Sequence, residues 1–191
     1  MTKQYLDEKI EDVAEFRFSL DRETDRGCAL LAVSYLEEEL KFLLKKCLVE
    51  RADVDKSIFS YNGPLGTFSS KIEMAFFLGK ISNEVKKELH LLRKIRNEFG
   101  HSPKPIDFNF QAIKDRCNAL NGSWKDNKYK PRGHFTASAC SILAIFHAEI
   151  YKTVHPSERE FEFPYGEDRE AIARKIEELS HLMADQFKNE G

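Results

Sequence analysis

A chain of 191 residues with 41% hydrophobic residues and 15 phenylalanines is long enough for one packed core, so a single domain over 1–191 is expected. Its charged residues, 32% of the total, nearly cancel to −2, which excludes the basic excess of a dedicated duplex-DNA binder. The acidic start "MTKQYLDEKIEDVAEF" is no signal peptide, and nothing approaches the ~18 consecutive apolar residues of a membrane span, so a cytoplasmic protein without membrane contact is expected.

In chain order, Ala29, Val33, Leu36, Leu40, Leu43 and Cys47 recur at spacings of four and three, one stripe along a long helix of about eight turns. The Gly and Pro residues of "YNGPLGTF" mark a turn, followed by a shorter helix from about Ser69 to Leu78. Val85, Leu89, Leu92, Ile95 and Phe99 form the next stripe, then Phe110, Ile113, Cys117 and Leu120, then Phe135, Ala139, Ile142 and Phe146. A last stripe, Ile172, Ile176, Leu179 and Met183, predicts a C-terminal helix over about 167–187. Breaks fall at Ala52–Gly66, Gly100–Asp107, Asn121–Gly133 and His155–Glu167, and "EFEFPYG" reads as an extended linker. The fold class is therefore all-α, a bundle of six to eight helices. The Ala29–Cys47 and Val85–Phe99 helices lie antiparallel at its centre, because both stripes need opposing faces. The cysteines (Cys28, Cys47, Cys117, Cys140) fall in apolar stretches without a CxxC pair, which predicts buried thiols, no metal and no cofactor.

Two stretches carry candidate chemistry. The loop "NGSWKDNKYKPRGH" sets Lys125, Lys128, Lys130 and Arg132 among Trp124 and Tyr129, a combination that grips phosphates and stacks bases. The alternative is a solvated loop with Trp124 against the bundle. The stretch "LLRKIRNEFGHSPKP" carries Arg96, Asn97 and His101. In continuous helix Asn97 and His101 share a face, whereas Arg96 and His101 stand about 140° apart. Gly100 invites a left-handed stop and Pro103 discourages continuation, so His101 is expected just past the helix end. There the negative end of the macrodipole favours its protonated form. Metal-free RNA cleavage needs proton transfer, which imidazole supplies, and charge stabilisation, which a guanidinium supplies, with Asn97 orienting either group. One such set per chain is thin; two facing sets in a homodimer suffice. The structural alternative is Arg96 tying helices together through Asp25, Glu37 or Glu38.

Arg96-Asn97-x3-His101 resembles the Arg-polar-x3-His signature of HEPN domains, all-α dimerising modules that include ribonuclease toxins. The surrounding segments "DRGCALLAVSYLEEEL", "GPLGTFSSKIEMAFFLGKIS", "LRKIRNEFGHSP", "IDFNFQAIKDRCNAL" and "PRGHF" resemble the mannitol operon repressor family, MtlR and its YggD relatives, over about 21–150. Gly100 stands where that family often has Ala before the His. The resemblance implies a cytoplasmic all-α repressor without a helix-turn-helix reader, working through a partner protein or a nucleic acid. The HEPN resemblance implies the alternative, a metal-independent endoribonuclease. Residues 1–20 and 155–191 match neither.

Overall fold

Thr24 decides where the first two helices part. Its extended backbone and side-chain oxygen, which accepts the Gly27 N–H, cap a new helix directly behind the old one. In this computed structural model, which describes residues 2–122, 130–159 and 166–189, α1 runs Lys3–Arg22 and α2 Asp25–Lys46. The 22 residues of α2 make about six turns rather than eight. The sequence placed no element over α1.

A four-residue helix, α3 (Val54–Ser57), follows within the expected break. Gly63 and Gly66 then let the chain pass close to itself: a Cβ at either would collide with the Ile58 or Ser60 carbonyl. Thr67 and Ser70 form a capping box that starts α4 (Phe68–Phe77). Ser82 caps α5 (Asn83–His101), α6 spans Gln111–Asn118, and Pro131 at the first helical position opens α7 (Pro131–Lys152). With α8 (Gly166–Asn189), all regular structure among the described residues is helical.

Long-range contacts fix the directions. Arg26 donates to the Ser102 carbonyl and Glu37 faces Arg96, so α2 and α5 are antiparallel, as the stripes predict. Tyr5 donates to the His147 carbonyl and Arg132 to that of Leu20, so α1 and α7 are antiparallel too. Asp25–Arg132 and Glu39–His147 make α2 and α7 parallel. Ala29, Val33, Leu36, Leu40 and Leu43 of α2 are fully buried. Each such leucine contributes about 1.5–3 kcal/mol.

The chain divides into two compact units, Met1–Ser157 and Glu158–Gly191. In the second, Ile172, Ile176, Leu179 and Met183 form the expected stripe on α8, each about half exposed. The "EFEFPYG" linker lies almost wholly outside the described residues, only Gly166 being included.

Cys28 and Cys117 are buried, whereas Cys47 and Cys140 are only partly so, a correction to the expectation for all four. Burial pushes the Cys28 thiol up to about 11 and that of Cys117 up to about 12. Iodoacetamide at pH 8 should therefore leave both unmodified in the native protein and label both in denaturant. Mass spectrometry checks this; native labelling at the rate of a free thiol would contradict the packing.

Candidate functional site

The C-terminal end of α5 is set by a proline. The Pro103 ring restricts the residue before it, and Ser102 is extended at φ −70°, ψ 121°, so the helix stops at His101. Gly100 stays helical; the only positive φ among the described residues is at Gly79. His101 is thus the last helical residue rather than one beyond the end. Continuity has a geometric result: Arg93, Asn97 and His101, at i, i+4 and i+8, share one face, and Arg96 leaves it.

Arg96 turns toward α2. Its Nη2 lies 3.9 Å from Glu37 Oε2, while Glu37 Oε1 accepts from Lys71 Nζ at 2.7 Å. Lys71 is almost fully buried, so this carboxylate stands between two cations from α4 and α5. Glu37 is one of the three acids named for the structural role of Arg96.

Asn97 and His101 face the other way. With Arg93, Lys94 and Arg116 of α6 they line an open groove of about 520 Å³. Arg116 Nη1 is held by Glu98 at 3.1 Å. The side chains of Arg93, Lys94, Asn97 and His101 have neither an ion pair nor a completed hydrogen bond among the described residues, and the buried Arg93 Nε is unsatisfied. Three cations against one carboxylate leave the groove at +2 in a chain of −2. Two turns earlier the same helix is already engaged: Lys86 and His90 both bond Glu73, at 2.6 and 2.9 Å. The Lys86 bond first, then that of His90, holds the Glu73 carboxyl below its usual range. Its contribution is present at neutral pH and lost as pH falls through that lowered value. Spacing alone would have found Arg93, because it repeats the Asn97–His101 interval one turn earlier; Arg116, on another helix, had no such signal.

The basic loop is only partly in view. Lys125 and Lys128, with Trp124 and Tyr129, lie outside the described residues. Lys130 is exposed at the N-cap of α7. Arg132 is engaged in a knot: Nη1 meets Asp25 Oδ1 at 2.6 Å, and Nη2 donates to the Leu20 and Glu23 carbonyls at 2.8 and 2.6 Å. Asp25 Oδ2 accepts the Phe108 N–H at 3.0 Å, so four segments meet on one ion pair. A second tie holds the start of the loop. The buried Glu88 accepts from the Asn121 N–H and from Ser138 Oγ, and Ser141 donates to the Gly122 carbonyl.

No group of three or more His, Cys, Asp or Glu that could hold a metal occurs among the described residues, and no helix there is long and apolar enough to cross a membrane. The sequence pattern described as Mannitol repressor (MtlR) matches residues 17–144. The bundle is similar to a chain of the X-ray structure of the MtlR–HPr complex from Escherichia coli. The identity is 17% and the TM-score 0.55, over 72% of this chain and 97% of that one. No curated protein matches the chain.

Proposed function

Because the chain belongs to the mannitol repressor family, we propose that it is a cytoplasmic regulator repressing a mannitol or sugar-alcohol operon through contacts with a protein partner, as a homodimer. The observation that carries the contact reading is the division of the Arg-Asn-x3-His motif. Arg96 ties α5 to α2, while the outward face keeps Arg93, Lys94, Asn97 and His101 for an incoming surface. The E. coli structure holds MtlR with HPr, so the HPr of the native host is the partner to try first. Lys125, Lys128 and Lys130 are the nucleic-acid contacts in this reading, Lys130 being the described one whose side chain is exposed, whereas Arg132 is engaged with Asp25 and two carbonyls.

Calorimetric titration of that HPr should give saturable binding by the wild-type chain. Operator DNA at near-physiological salt should bind weakly without the partner, since a net acidic protein opposes phosphates. Tight operator binding by the chain alone would overturn the reading. A metal-independent endoribonuclease remains the second reading, favoured by His101 lying in one groove with two guanidiniums. It requires RNA cleavage that survives EDTA, leaves 2′,3′-cyclic phosphate and is abolished by His101→Ala.

A further inference from the structure

We propose that the groove between α5 and α6, where Arg93, Lys94, Asn97 and Arg116 come together, is a phosphate-monoester site; this rests on reading the face as a binding surface. The argument starts from which side chains are engaged. Along α5, Lys86 and His90 are bonded to Glu73 and Arg96 faces Glu37. Among the described residues, Arg93, Lys94 and Asn97 have no hydrogen-bond or ion-pair partner for their side chains, and they line the same groove. Arg116 enters from α6, its Nη1 shared between Glu98 and the Ala112 carbonyl at 3.1 Å each, with the rest of its fork unassigned.

The charge selects the ligand class. A groove at +2 matches a phosphate monoester, which carries about −1.5 to −2 at pH 7 with three acceptor oxygens. A diester spreads one charge per phosphate and leaves half of the groove uncompensated. Guanidinium forks and an amide N–H₂ are the donors that fit such oxygens. The α5 carbonyls at its C-terminal end disfavour an anion beside His101, so the phosphate seats nearer Arg93, two turns back. Two sources present this chemistry: a free small phosphate ester, or a phosphorylated side chain of a partner.

Heteronuclear NMR of the full-length protein, titrated with inorganic phosphate, a hexitol phosphate, a phosphoserine peptide and dimethyl phosphate, tests the site. Monoesters should shift Arg93, Asn97 and Arg116 signals at millimolar concentration or below, and dimethyl phosphate should not. A hexitol phosphate that binds more tightly than inorganic phosphate identifies the small-molecule source; a tighter phosphopeptide identifies the partner. Arg93→Gln and Arg116→Gln should each weaken binding at least tenfold with melting temperature followed alongside, while Lys87→Gln, exposed elsewhere on α5, should not. Absence of monoester shifts at 10 mM, equal binding of the diester, or an equal loss in Lys87→Gln would overturn the proposal. None of these results touches the partner titration, which is run without added phosphate.

Discussion

Phe108→Ala should destabilise the protein by about 3–5 kcal/mol, the cost of truncating a large buried aromatic. Phe108 is 2% exposed and sits between two other rings, 5.0 Å from Phe99 and 5.2 Å from Phe135. It is the anchor of the non-helical stretch that joins α5 to α6. Without it the cavity lies at the meeting of α5, α7 and the start of α2, where packed helices can collapse only partly. In urea the unfolding midpoint should fall with m unchanged, and a loss under ~1 kcal/mol would mean that the stretch is not seated in the core.

Arg132→Ala should cost about 2–3 kcal/mol, less than a fully buried pair because Arg132 is 28% and Asp25 27% exposed. Three charge-assisted bonds disappear together; the Glu23 carbonyl loses its donor, and the Leu20 carbonyl keeps only the Glu23 N–H at 3.3 Å. Arg132→Lys keeps the charge but loses the fork, so it should recover less than half of the loss. Thermal melts of both variants check this. Unchanged stability together with weakened nucleic-acid binding would return Arg132 to the phosphate-gripping role its loop suggests. The double variant with Phe108→Ala should cost less than the sum, because Asp25 bonds both residues.

The stripes of α2, α5, α6 and α7 were legible because apolar residues recur in each at one period, and α4 was legible from the turn ahead of it. α1 was missed although Val13 packs against the core on the side of Phe16 and Leu20, because its acidic start was read only as the absence of a signal peptide. The end of α5 was misjudged by one signal overriding another. Gly100 permits a left-handed stop but does not require one, whereas Pro103 imposes its restriction on Ser102. In the site, the divergence of Arg96 from His101 followed from helical angle alone, whereas Glu37 was one of three acids of the long helix named as its partner. Glu88 and Arg132 escaped because a charged residue in an apolar stripe, or in a basic loop, declares nothing about its partner. Those partners lie 50 and 107 residues away, at Ser138 and Asp25.

The knot on Asp25 also orders events on the ribosome. Its carboxylate emerges 83 residues before the Phe108 N–H and 107 before the Arg132 guanidinium. At roughly 5–20 residues per second, α1 and α2 therefore wait about 5–20 s for the arginine that joins them to α7. During that interval the nascent chain exposes the apolar stripe of its central helix, with α5 as the first long partner to arrive. A chaperone that shields apolar helices has its window there, and a ribosome stalled before residue 132 holds a bundle that has not yet closed.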